Sequence, residues 1–245
     1  MFAWTTAAVA TTCPAARIDT RATVETVFDG DTVRLADGRS VRLVGINTPE
    51  LGRDGAPDEP LARSARQALI DLLGDDRSVG LEIAPEGTDH YDRLLAHVHT
   101  ADSRNVTAAL LERGLGWHIA VPPNLGHLDC YRRAERVARR DERGVHGEAA
   151  LAPVAAEALN ADAGGFTLVT GTIERVGTSR RAYWLDLGGL TLRLARADLP
   201  YFEETDPRRW HGRSLRVRGW IYRVDGQARM NLGHPAAVEW MDTRQ

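Results

Sequence analysis

The chain reads as a mainly β protein with some α structure: a small barrel with three helices on its outside, followed by a second, smaller β-rich domain. Three observations lead there. Alternating or β-branched runs fall near 22–28, 31–36, 39–46, 79–84 and 94–99, and such alternation marks strands that bury one face. Helical periodicity appears only near 61–73, 104–113 and 127–141. Five more strand-like runs, at 167–174, 182–187, 190–195, 214–223 and 227–232, follow a stretch punctuated by Pro153 and Gly164-Gly165.

Taken in order, residues 1–19 form an N-terminal segment. Residues 2–10 are small and mildly apolar, and Ala8-Val9-Ala10 has the form of a signal-peptidase site, although no basic residues precede it. A truncated signal peptide and a disordered tail are the two readings. The first domain is expected over 20–146. Its five strands and few helices suit an OB-type five-stranded barrel, and the Gly-, Pro- and Asp-rich segment 51–60 reads as a mobile loop. The alanine-rich stretch 147–165 is expected as a linker, and 166–240, with strands again at close spacing, as a second, smaller OB-like β-barrel domain.

A chain of 245 residues is long enough for two domains of ordinary size. There is no apolar run near 18 residues, so a transmembrane helix is not expected. All 31 basic residues are arginine, and the net charge of -3 provides no global basic field. Any attraction to nucleic acid must therefore be local.

Three short stretches concentrate chemistry: Asp29-Gly-Asp31-Thr32, then Arg42 to Glu50, then Tyr91-Asp-Arg93. Each taken singly has a bland reading as a hairpin turn, the polar face of a strand or a strand exit. Together they supply what phosphodiester hydrolysis needs. Asp31 is a hard oxygen ligand of the kind calcium and magnesium prefer. Arg42 and Arg93 offer paired donors whose angles match phosphate oxygens. Glu50 is a titratable group suited to orienting and deprotonating water.

The order and spacing of these motifs resemble the thermonuclease (staphylococcal-nuclease-like) family over roughly residues 20–145. The similarity continues through Leu94-Leu-Ala-His-Val98, Asn105-Val106, Arg113-Gly114-Leu115 and Pro123-Asn124. The resemblance implies an OB-type barrel and a calcium-dependent nuclease, with magnesium or another divalent ion as the alternative cofactor. It implies cleavage of DNA and RNA with little sequence preference, leaving a 5′-hydroxyl and a 3′-phosphate. In that reading Asp31, Asn47 and the Thr48 carbonyl hold the metal, Glu50 activates water, and Arg42 and Arg93 stabilise the phosphorane. Two departures lie close to the chemistry. Asn47 stands where many members have a second metal-binding aspartate, and Asp92 replaces the usual glycine before the arginine. A binding protein that keeps the barrel but has lost efficient metal use is the rival reading, and a packing-only envelope protein is a third.

Cys13 and Cys130 are the only cysteines. An even count with export signs favours a disulfide over two unrelated buried thiols, and a periplasmic or secreted location. Neither has a Cys-x-x-Cys partner for zinc. His97 and His99 share one strand face, but no third metal ligand lies at motif spacing, so packing is the expectation for them. In the tail, 12 arginines face 8 acids. Along 214–223, Arg216, Arg218, Trp220 and Tyr222 share one strand face, opposite Leu215, Val217 and Ile221. Cations interleaved with rings suit single-stranded DNA or RNA; packing on the linker or first domain is the alternative for the two rings. Neither a membrane nor a protein partner is implied.

Overall fold

The computed structural model describes residues 13–241. The expectations for Ala8-Val9-Ala10 and the rest of 1–12 lie outside the described residues. Two compact units are present, one comprising residues up to Ile119 together with Pro123–Ala150, the other Ala120–Pro122 and the chain from Leu151 onward.

The first unit is a closed barrel of β1 (Thr20–Val27), β2 (Thr32–Leu35), β3 (Ser40–Leu43), β6 (Leu94–Thr100) and β5 (Ser78–Thr88), in that order around the ring. All neighbours are antiparallel except β3 and β6, which run parallel. The expected alternation is visible in β3, where Val41 and Leu43 are buried and Ser40 and Arg42 are partly exposed. Val24, Leu35, Val41, Leu43, Leu81 and Val98 fill the interior. Burying a side chain of this kind contributes about 1.5–3 kcal/mol. Three helices lie where helical periodicity predicts them: α1 (Ala62–Leu73), α2 (Val106–Glu112) and α3 (Leu128–Arg140). Asn105 caps α2 by accepting from the Ala108 N–H at 2.9 Å, the usual way to satisfy a free amide at a helix start. None of the helices among the described residues is long and apolar enough to cross a membrane.

The run 39–46 differs from expectation. It is not one strand but β3 followed by a two-residue strand, β4 (Ile46–Asn47), which pairs with β7 (Trp117–His118). Gly45 breaks it, with φ at +88°, and a Cβ at that position would come within 2.4 Å of the Tyr131 ring. The backbone conformation and the buried tyrosine both require glycine there. The break turns Asn47 and Thr48 out of the barrel ladder and towards Asp31.

The second unit is one sheet of 8 strands. They are β8 (Val154–Ala155), β9 (Gly165–Thr172), β10 (Arg175–Thr178), β11 (Ala182–Asp186), β12 (Thr191–Ala195), β13 (Ser214–Val224), β14 (Gln227–Asn231) and β15 (Val238–Trp240). The path runs β10-β11-β12-β14-β13-β9-β8, with β15 on the other end of β13. Its apolar face buries Val169, Leu185, Leu192, Leu215, Val217 and Met230. The stretch 147–165, read as a linker, is partly built into this sheet: β8 pairs with β9, and Ala156 is buried in the core.

Cys13 and Cys130 form a disulfide, resolving that alternative. Both are buried in the barrel core cluster, and the bridge closes a sequence separation of 117 residues. A loop of that size lowers denatured-chain entropy by an amount worth about 4–5 kcal/mol as an upper figure. Oxidised protein should therefore show no reactive thiol after denaturation and should melt at a lower temperature once reduced. Two titratable thiols in oxidised material, or an unchanged melting temperature, would contradict the bridge.

Candidate active site

The centre of the site is a buried carboxylate. Asp31, at the mouth of the turn between β1 and β2, is 1 % exposed. Its Oδ2 accepts from the Thr48 N–H at 2.8 Å and the Thr48 hydroxyl at 3.1 Å, and meets Arg42 Nη2 at 3.1 Å. Its Oδ1 accepts from the Thr32 hydroxyl at 3.1 Å, leaving that oxygen with spare acceptor capacity. Gly30 makes the approach possible, because a Cβ there would sit 2.6 Å from Ala65 Cβ and 2.8 Å from Thr48 Cγ2.

Arg42 is a fixed donor. Its Nη1 donates to the carbonyls of Leu43 at 2.9 Å and Ile46 at 3.0 Å, and its Nη2 also reaches Asn47 Oδ1 at 3.3 Å. Asp31, Arg42, Asn47 and Thr48, all singled out from sequence, thus form one bonded group. Asp29 joins it: it is buried and accepts from the Asp31 N–H at 3.0 Å. Sequence reasoning placed Asp29 in the motif without giving it a site role, although its position two residues before Asp31 is the signal.

Charge in this group is unbalanced. Burial pushes the Asp31 carboxyl up to about 7; Arg42 opposes the shift, and the negative charges of Asp29 and Glu50 reinforce it. Glu50 is also pushed upward, first by loss of surrounding water and then by Asp29, with Arg42 and Arg53 opposing. Glu50 itself lies at the exposed rim. The loop after it is tied at its base, the Glu50 N–H donating to Glu59 Oε2 at 2.8 Å and the Glu59 N–H to the Glu50 carbonyl at 2.9 Å. Three carboxylates share the field of Arg42, with Arg53 acting at Glu50, so a bound cation would relieve their repulsion. The donors are all oxygens, which fits a hard ion such as calcium or magnesium. Asp31, the Asn47 side-chain oxygen and the Thr48 carbonyl are the candidates to hold it.

Arg93 stands slightly apart. It lies two residues before Leu95, the register partner of Arg42, so alternation puts both arginines on one face of the barrel wall. Its Nε and Nη2 each reach Asp89 Oδ2 at 2.7 Å, and its guanidinium lies 5.3 Å from the centre of the exposed Tyr91 ring. Burial raises the Asp89 carboxyl, but hydrogen bonds from the Arg93 side chain and from the backbone of Arg93 and Tyr91 outweigh it and hold the group below its ordinary value. Asp92, where a glycine was the usual residue, has φ at +61°. The turn keeps the left-handed conformation that glycine would adopt freely.

In the second unit, Arg216, Arg218, Trp220 and Tyr222 do share one face of β13, and Trp220 is 46 % exposed. Three of the four have partners: Arg216 with Glu239 at 3.3 Å, Arg218 with the Ala236 carbonyl at 3.2 Å, and Tyr222 with Asn231 Oδ1 at 3.3 Å. Trp220 meets Phe166 edge to face at 5.0 Å. Register extends the face to Arg229, opposite Tyr222, whose guanidinium lies 5.2 Å from the Trp184 ring.

Comparison with known proteins bears on the first unit. Residues 40–146 match the family described as staphylococcal nuclease homologue. The chain is 31 % identical over 125 residues to the thermonuclease of Staphylococcus intermedius, covering 50 % of this chain and 73 % of that protein. It is 34 % identical over 113 residues to the probable endonuclease LCL3 of Clavispora lusitaniae, covering 43 % and 46 % respectively. Endonuclease YhcR of Bacillus subtilis is 25 % identical over 146 residues, 12 % of its length.

The left-handed turn at Asp92 is open to a direct test. Asp92→Val should destabilise the protein by ~1–2 kcal/mol, the cost of that conformation for a residue with a branched Cβ. Asp92→Gly should melt no lower than wild type. Equal melting temperatures for the two variants would mean the turn relaxes.

Proposed function

Because the chain belongs to the staphylococcal nuclease family, we propose that it is a divalent-metal-dependent endonuclease cutting DNA and RNA with little sequence preference. The observation that carries this is the group of Asp29, Asp31 and Glu50 gathered around Arg42 and Thr48. A phosphodiester gains negative charge as water adds to phosphorus, so the site must neutralise oxygens while leaving a base beside the nucleophile. Calcium bound at Asp31, Asn47 and the Thr48 carbonyl would supply positive charge to the phosphate and the attacking water.

Glu50, at the rim with its proton affinity raised, takes the proton from that water. Arg42 presents a guanidinium already aligned by the Leu43 and Ile46 carbonyls, a fixed positive charge for phosphate oxygens. Arg93 serves the leaving oxygen, consistent with a 5′-hydroxyl product and a retained 3′-phosphate. Asn47 contributes no charge, which favours weaker ion binding, and so a higher ion requirement, than two carboxylates would give. The Cys13–Cys130 bridge favours work in an oxidising compartment, periplasmic or secreted.

A second reading, a nucleic-acid-binding protein without turnover, is favoured only by Asn47 and by the ring-bearing face of β13. Single-stranded DNA incubated with calcium, magnesium or a chelator separates the two. We expect ion-dependent degradation, and Glu50→Gln and Arg93→Ala should each lower kcat by at least ~10²-fold. Retardation without cleavage in every ion would favour the binder.

The second unit supplies a single-strand platform in this reading, with Trp220 stacking on bases and Arg229 near phosphates. Trp220→Ala should weaken single-strand binding by ~1–3 kcal/mol with folding intact. Unchanged affinity with a large fall in melting temperature would assign Trp220 to packing against Phe166.

A further inference from the structure

We propose that Glu82, His99 and His127 form a binding site for a divalent transition metal, zinc by its chemistry, sharing no residue with the Asp31 group. The three come from β5, β6 and the residue before α3, and their ligand atoms all lie within 4.8 Å of one another. His127 Nε2 is 3.0 Å and His99 Nε2 3.7 Å from Glu82 Oε2. Zinc with bonds near 2.0–2.2 Å in a tetrahedron separates its ligands by ~3.3 Å, so only small side-chain shifts are needed. Two imidazoles and a carboxylate are ligands zinc accepts readily, whereas calcium and magnesium prefer all-oxygen sets. Water completes the fourth position.

Two further features point to a ligand. His99 is 1 % exposed, and its Nε2, 3.7 Å from Glu82 Oε2, makes no hydrogen bond, while the Ser103 backbone is its other polar neighbour. Leaving buried polar atoms unpaired is costly, and a metal would satisfy the Nε2 that faces Glu82. His127 is also an unexpected residue where it stands. It occupies the cap of α3 with φ at +59° and makes no capping hydrogen bond, a position where Asn, Asp, Ser or Gly would be ordinary. Its ring, not its backbone role, accounts for it. Gly126, just before it, leaves room for the neighbouring His97, because a Cβ there would lie 2.6 Å from His97 Nε2.

A metal here would tie two barrel strands to the start of α3, three residues before Cys130 in the disulfide. The backbone N–H of Ala16, just after Cys13, donates to Glu82 Oε2 at 3.3 Å. The same join is thus held by a covalent bridge and by a metal clamp.

The test uses the full chain, freed of metal by chelation and titrated with zinc and, separately, cobalt(II). Zinc should bind at one ion per chain and raise the melting temperature, and cobalt should develop the intense visible bands of a four-coordinate site. Glu82→Gln and His127→Asn, the latter chosen because asparagine tolerates a positive φ, should each weaken binding by at least ~10-fold, since even outer-sphere losses cost that much. Asp31→Asn should leave zinc binding unchanged. Absence of saturable binding, or binding lost in Asp31→Asn and kept in His127→Asn, would overturn the proposal. None of these readouts depends on nuclease activity.

Discussion

The first unit depends on one constraint: the carboxylate of Asp31 is buried and must be compensated. Isolated burial of such a charge is prohibitive, and it survives only with hydrogen bonds and a paired cation. Thr48 gives two donors and Arg42 a guanidinium. These partners come from β3 and from the segment after β4, so the demand of one carboxylate fixes where three stretches of chain meet. Gly30 and Gly45 are consequences of it. The first admits helix α1 and Thr48 against the turn, and the second bends the strand so that Thr48 arrives.

The arrangement is compensated in hydrogen bonds but not in charge, which distinguishes it from a simple ion pair. A structural pair would match one carboxylate with one guanidinium. Here Asp29 and Glu50 add to the field at Asp31, and its proton affinity rises despite Arg42. The group is poised to take a cation, and perturbed carboxylates at a rim are a recognised mark of active sites. The Glu82, His99 and His127 group differs in kind, with nitrogen donors and one carboxylate. The two sites would sort hard from borderline ions by donor chemistry alone.

Much of this was legible in the residues, and the parts that were not have physical reasons. The barrel strands announce themselves because each buries one face, so alternation survives in β3 and along β13. Asp31, Arg42, Asn47 and Thr48 are found because the motif keeps them within one short stretch of chain. The break at Gly45 is invisible, since glycine within a strand pattern has several uses and the deciding partner, Tyr131, is 86 positions away in sequence. The two-residue ladder of β4 and β7 is too short for any periodicity to register. Glu82 and His127 could not be joined to His99 by spacing, because strand register and a helix start bring them together. The partners of Arg216, Arg218 and Tyr222 likewise follow from the sheet, and alternation alone reveals only which face they share.

The two arginines differ in how they can meet a phosphate, and their partners decide it. Arg42 is held by two carbonyls, Asn47 and Asp31. Moving it would strand a buried carboxylate, so Arg42 is fixed in place. Arg93 is paired with Asp89, whose Oδ1 also accepts the N–H groups of Tyr91 and Arg93 at 2.9 and 3.0 Å. Asp89 therefore also holds two backbone donors, and it lies nearer to water than Asp31. The left-handed turn at Asp92 sets the backbone from which Arg93 projects, while its side chain is held by Asp89. Under the proposed nuclease function the two guanidiniums would therefore meet a phosphate from different settings, Arg42 from a buried bonded group and Arg93 from a partly exposed ion pair.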